Sequence, residues 1–251
     1  MRKTSHVNDW CQVNAIVCIA GYARLERVRG HFVYALNAIN KWKLSRWSLQ
    51  RCYAQSAFVQ QLALLRIPMV TLVIIPGWRD SGPGHWQSLW ADQLPGAVRV
   101  NQDDWISPTR AAWVGAITRT ILEQDGPVVI AAHSLGCIAT THLPPEAAER
   151  IQGALLAAPA DPERRGVLAD FAPVPYQRLP YSSIVVASNN DPYCPVRTAG
   201  AYARAWGSEF VRLQNAGHIN VESGYGNWPL GLALVQSLLA QPVSSAAPVI
   251  A

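Results

Sequence analysis

Ser134, Asp191 and His218 are three residue types that together can open a carbonyl compound, and each lies just past the C-terminal end of a predicted strand. A serine hydroxyl is a poor nucleophile until a base removes its proton. A histidine does this near neutral pH. A carboxylate then holds the imidazole tautomer and stabilises the imidazolium as it forms. The chemistry implied is acyl transfer through a covalent acyl-serine, with water releasing the acyl group.

These side chains need a scaffold. Residues 128–132, Val-Val-Ile-Ala-Ala, read as a strand buried on both faces, and His133-Ser134-Leu135-Gly136 ends it abruptly before an apolar helix. This is the pattern of a nucleophile elbow, G-x-S-x-G, with Ala132 in place of the first glycine. Such a turn lifts the hydroxyl above the sheet and offers the Leu135 N–H, at a helix start, to a developing oxyanion. The loop Gly77-Trp78-Arg79 after the first strand is expected to give a second donor, the Trp78 N–H.

Each residue also has an ordinary reading. Asp191 precedes Pro192, a common turn pair, and His218 follows Gly217 in a loop. His133 is next to the serine, so its side chain is expected to point away from the nucleophile and be structural. His85 is a competing histidine that could line the pocket. Asp103 and Asp104 are competing acids but precede the serine. The joint occurrence in the order Ser, Asp, His, the α/β-hydrolase order, favours the catalytic reading.

The rest of the chain fits that scaffold. Residues 70–75 are an apolar strand ending in Pro76-Gly77, and 85–94 have helical spacing. A short strand follows at 97–100. Ser107-Pro108 reads as an N-cap with proline at the first helical position, opening a helix over 108–124 that buries Trp113, Ala116, Ile117 and Ile121. Beyond the elbow, 144–150 is a short helix or turn, and strands are expected at 154–157, 183–187 and 209–213. Helices are expected at 195–206 and 230–239. Residues 161–180 are irregular and proline-rich, a candidate cap over the site. Strands alternating with helices predict an α/β fold, a mainly parallel sheet of about six strands with helices on both faces. Ligands bind such sheets beyond the C-terminal strand ends.

Composition separates two parts of the 251 residues. Residues 1–68 carry ten Lys and Arg against two Asp and Glu, a net +8, whereas 69–251 carry a net −3. The basic charge therefore gives the remainder no case for nucleic acid. The expected division is a basic N-terminal extension over 1–68 and a hydrolase-type domain over 69–251. The extension has the Arg-rich composition of a transit or surface-binding segment. Met69 immediately before the first strand also suggests that translation starts there. The five cysteines are odd in number and match no zinc or disulfide pattern, which fits a reducing, cytoplasmic setting. No apolar run reaches the roughly 18 residues of a membrane span. The histidines make no ligand-spaced set, so neither metal nor other cofactor is expected.

Six separated segments carry a resemblance: Pro76-Gly77-Trp78, Gly82-Pro83-Gly84-His85-Trp86-Gln87, Gln102-Asp103-Asp104-Trp105, Ala132-His133-Ser134-Leu135-Gly136, Ser188-Asn189-Asn190-Asp191-Pro192 and Ala216-Gly217-His218-Ile219-Asn220. Together they resemble the small α/β-hydrolases related to retinoblastoma-binding protein 9, over residues 69–239. The resemblance implies a compact fold, a Ser134–Asp191–His218 triad and serine-hydrolase activity on small esters or amides; a monomer is expected. Gly77, His85, Trp86 and Trp105 are then expected around the substrate, although each Trp is equally suited to core packing. The leading expectation is a cofactor-free carboxylesterase; peptidase, amidase or thioesterase chemistry uses the same triad. The alternative is a protein-interaction module on the same scaffold with minor or lost catalysis.

Overall fold

The computed structural model describes residues 70–241; the expectations for the N-terminal extension and for the tail from 242 lie outside them. Six strands form one parallel sheet: β1 (Thr71–Ile75), β2 (Val98–Arg99), β3 (Val128–His133), β4 (Ile151–Ala157), β5 (Ser182–Ser188) and β6 (Glu209–Leu213). Their order is β2-β1-β3-β4-β5-β6, so from β1, inside the sheet, the chain moves to one edge and then crosses back over β1 to the other. The expected α/β fold with about six strands is present.

Alternation along the strands divides the core. Val73 and Ile75 of β1, with Val128, Ile130 and Ala132 of β3, face one side, where helices α2 (Arg110–Leu122), α3 (Leu135–Thr140) and α5 (Val196–Trp206) contribute Trp113, Ile138 and Trp206. Leu72, Ile74, Val129 and Ala131 face the other, against Trp86 and Trp90 of α1 (Trp86–Gln93) and Val235 and Leu238 of α6 (Pro229–Leu239). A strand covered on both faces has no polar positions to alternate, which explains the unbroken apolar runs. A short α4 (Pro145–Ala148) precedes β4.

Helix α2 buries the four residues its spacing predicts, but its start differs. The N-cap is Thr109, whose Oγ1 accepts from Ala112 N–H at 3.4 Å. Ser107 belongs instead to a turn closed by Asp104, whose Oδ1 accepts from the N–H groups of Ile106 and Ser107. The N–H of Arg110, which a Ser107 cap would take, donates instead to Asp170 Oδ2 at 2.6 Å, and the turn bonds hold the Asp104 carboxyl below the usual carboxylate range.

The region after β4 contains two 3-10 turns, Pro162–Arg164 and Gly166–Phe171, which bury Leu168 and Phe171. No helix of the described residues is long and apolar enough to cross a membrane.

Candidate active site

Central strand β3 ends at Ser134, where the chain turns at φ 54°, ψ −119° before α3 begins at Leu135. A side chain at positive φ outside the helical wells costs on the order of 1–3 kcal/mol, so its surroundings must impose it. They do so by close approach. A Cβ on Gly136 would lie 2.5 Å from the Pro76 carbonyl oxygen and 2.6 Å from that of Ile75. A Cβ on Gly77 would lie 2.7 Å from the Ser134 Cβ. The elbow is thus wedged against the end of β1, and only glycine fits at those two contacts. Backbone bonds complete it: Ser134 N–H donates to Ala157 O at 3.0 Å, and Ser134 O accepts from Ala160 at 3.2 Å.

His218 and Asp191 come from the loops after β6 and β5. His218 Nε2 lies 2.9 Å from Ser134 Oγ, and its Nδ1 lies 3.0 and 2.9 Å from the two Asp191 oxygens. Because a carboxylate only accepts, Nδ1 carries the proton and Nε2 is free to accept from the serine hydroxyl. The Asp191 side chain is 2% exposed and that of His218 8%. The three groups expected to act together therefore form one hydrogen-bonded line, largely out of water.

The loops that hold the pair are knitted by polar side chains. Asn190 Oδ1 accepts from Ser188 Oγ and from Gly217 N–H, at 2.7 and 2.8 Å. Asn189 Oδ1 accepts from Asn215 N–H at 2.7 Å, and Ser223 Oγ accepts from His218 N–H at 3.2 Å. Ile219, a β-branched residue, is held at φ 51°.

Two aromatic residues expected around the substrate are elsewhere. Trp86 is fully buried among Trp90 and Trp228, with its Nε1 donating to Ile219 O at 3.0 Å. Its role is to clamp the histidine loop, because a large ring on the inner face of α1 has no path to the cavity. Trp105 packs edge-on against Trp113, and its carbonyl accepts from Arg79 N–H at 3.0 Å, holding the loop after β1. Gly77 sits beneath Ser134, giving room rather than a lining surface. Trp78 and His85 do line the cavity, which is about 490 Å³ and open above Ser134 and His218. Among the described residues, neither Trp78 N–H nor Leu135 N–H donates to another backbone group.

His133 departs from expectation in the opposite sense. Its ring lines the cavity and its Nε2–H donates to the His218 carbonyl at 2.9 Å. Behind it stands His85, 4.8 Å away between ring centres, which caps α1 by accepting Gln87 N–H on Nδ1. Burial, then the proximity of His218 and Arg99, pushes His85 down to about 4. Burial likewise lowers His133 well below the usual histidine range. Both rings are therefore neutral at neutral pH; His133 donates to the histidine loop, whereas His85 Nε2 has no partner among the described residues. Nothing local in the sequence marks His133, since its partner is 85 residues away. Beneath this pair, buried Gln87 donates to the carbonyls of Ile75 and Ala131, satisfying both strand ends next to the elbow.

Among the described residues no group of three or more His, Cys, Asp or Glu is arranged to hold a metal. The two described cysteines, Cys137 and Cys194, are buried and free, and burial raises both thiols, Cys194 to about 12.

Comparison with known proteins places the chain in a family. A family model described as serine hydrolase matches residues 72–237. A putative YdeN-like hydrolase from Pectobacterium atrosepticum is 34% identical over 71% of this chain and 96% of its own, with a TM-score of 0.63. The ydeN gene product of Bacillus subtilis shares the fold at 20% identity, covering 68% of this chain and all of its own, TM-score 0.59. An esterase from Thermogutta terrifontis shares it at 16% identity, covering 68% and 82%, TM-score 0.51. No curated protein matches the chain. The matched segment runs from β1 to α6 and so spans the elbow, the acid loop and the histidine loop; the chain belongs to the serine hydrolase family.

Proposed function

We propose that this serine hydrolase is a carboxylesterase acting on small esters through Ser134, His218 and Asp191. The observation that carries the reading is the unbroken line of hydrogen bonds from Asp191 through His218 to Ser134 Oγ. Ser134 Oγ attacks the ester carbonyl as its proton passes to His218 Nε2. Asp191, already on Nδ1, offsets the imidazolium charge. The N–H groups of Leu135 and Trp78 receive the oxyanion. The imidazolium protonates the departing alcohol, leaving an acyl-Ser134. Water, deprotonated by His218, then attacks the acyl carbon and frees the acid and the serine.

The relation to retinoblastoma-binding protein 9 rests on the six motif segments, and a reducing cytoplasmic setting and a monomer are parts of the same reading. The cavity of about 490 Å³ supports a small substrate over a long lipid chain.

Labelling with a fluorophosphonate and reading intact mass tests the mechanism. One adduct is expected on the wild type and none on Ser134→Ala. Hydrolysis of short p-nitrophenyl esters should fall by at least about a thousandfold in that variant. A folded wild type that takes no adduct would overturn the reading and favour an interaction module instead.

A further inference from the structure

The cavity mouth is built from two aromatic rings with a guanidinium against both. Trp78 comes from the loop after β1 and Tyr193 from the loop after β5. Arg165 lies between the two 3-10 turns after β4, and all three line the cavity. Arg165 Cζ is 4.5 Å from the Tyr193 ring centre and 5.8 Å from that of Trp78. Tyr193 in turn packs on His218, with 4.4 Å between ring centres. The charge of Arg165 is thus held two ring contacts from the base, whereas Arg79, which also lines the cavity, touches only the Trp78 ring, at 4.3 Å.

Stacking on ring faces fixes a guanidinium without using its N–H edge. Among the described residues Arg165 makes no salt bridge. The acids lining the same cavity are otherwise placed. Asp80 is ion-paired with Arg99, Asp161 Oδ1 accepts Glu163 N–H at 3.2 Å, and Glu222 is exposed on the turn after β6. A planar fork of donors, oriented at a mouth and free of a protein acceptor, matches a carboxylate.

We propose that Arg165 is a specificity-determining residue and that the substrates are short esters bearing a second, free carboxylate. This rests on Ser134 being the nucleophile. The carboxylate lies on either the acyl or the alcohol side of the ester, and the two sides are separable with chosen probes. Monomethyl succinate against methyl succinamate tests the acyl side; acetoxyacetate against its amide tests the alcohol side.

At low ionic strength the wild type should show a kcat/KM for one anionic ester about tenfold above its neutral partner, a ratio that shrinks with added salt. Arg165→Gln should bring the ratio close to one. Arg165→Glu should invert it and favour the cationic methyl 4-aminobutyrate. Ratios of one or less in both wild-type pairs, or a preference that survives Arg165→Gln, would overturn the proposal. Fluorophosphonate labelling of each protein separates the two failures. Labelled Ser134 without anion preference sinks only the role of Arg165; an unlabelled, inactive wild type sinks the esterase reading itself.

Discussion

The two halves of the site are built by different physics. On the side of the proposed nucleophile, Ser134 is fixed by backbone and by close approach: Gly77 and Gly136 leave no room, and the strained turn is wedged against β1. On the acid–base side, Asp191 and His218 ride on loops held by side-chain amides and hydroxyls, chiefly Asn189, Asn190 and Ser223. The first half is sensitive to added volume, and the second to the loss of a polar group. Besides the Ser134–His218 bond, a second bond joins them, from His133 at the end of β3 to the carbonyl of His218.

Acid should attack that join most strongly. The His85 pKa is depressed in the fold relative to an ordinary value of 6.5, so the unfolded chain binds the extra proton first. Its contribution is therefore fully present above about pH 6.5 and is lost as pH falls through about 4. The loss is roughly 3 kcal/mol, with His133 adding in the same direction. His85→Asn keeps an acceptor for Gln87 N–H but cannot titrate. Its melting temperature should depend on pH less steeply between 6.5 and 4 than that of the wild type. Parallel profiles would show that His85 carries none of the acid sensitivity.

Added volume on the nucleophile side should come next. Gly136→Ala sets a methyl against two backbone oxygens of the β1 end, which cannot yield without moving Trp78. A loss of about 2 kcal/mol is expected after the helix-propensity gain, together with much slower probe labelling. An unchanged melting temperature would break the steric account of this half.

Deletion on the other side should be mildest in stability. Asn190→Ala leaves Gly217 N–H and Ser188 Oγ without their acceptor, but Asn190 is exposed and water replaces it. The cost should be about 1 kcal/mol or less, with Ser134 labelling slowed several-fold because His218 follows Gly217. A large fall in melting temperature with normal labelling would reverse the assignment of roles to the two halves.

The same division governs what can be read in the chain. The strands are legible as apolar runs because both faces of the sheet are covered, and the buried stripe of α2 is legible from spacing alone. Ser134, Asp191 and His218 stand out because each is a reactive type directly after a strand. The supports are silent. Trp86 reaches Ile219 across 133 residues, and no local pattern distinguishes a ring that clamps a loop from one that lines a pocket. The start of α2 is not legible locally because Ser107 and Thr109 are both good caps, and the N–H that a Ser107 cap would take, that of Arg110, donates to Asp170, 60 residues away.

The order of the strands bears on how activity arises as the chain folds. Ser134 and His218 are separated by 84 residues, and the strands between them, β4 to β6, are laid down one after another on the β3 edge. Such non-local pairing is slow to complete. A chain that has formed only the β2-β1-β3 half holds the elbow but no base, so its serine is an ordinary alcohol. On the proposed mechanism, reactivity requires the far edge to have docked, so a covalent serine label would act as a chemical clock for that docking.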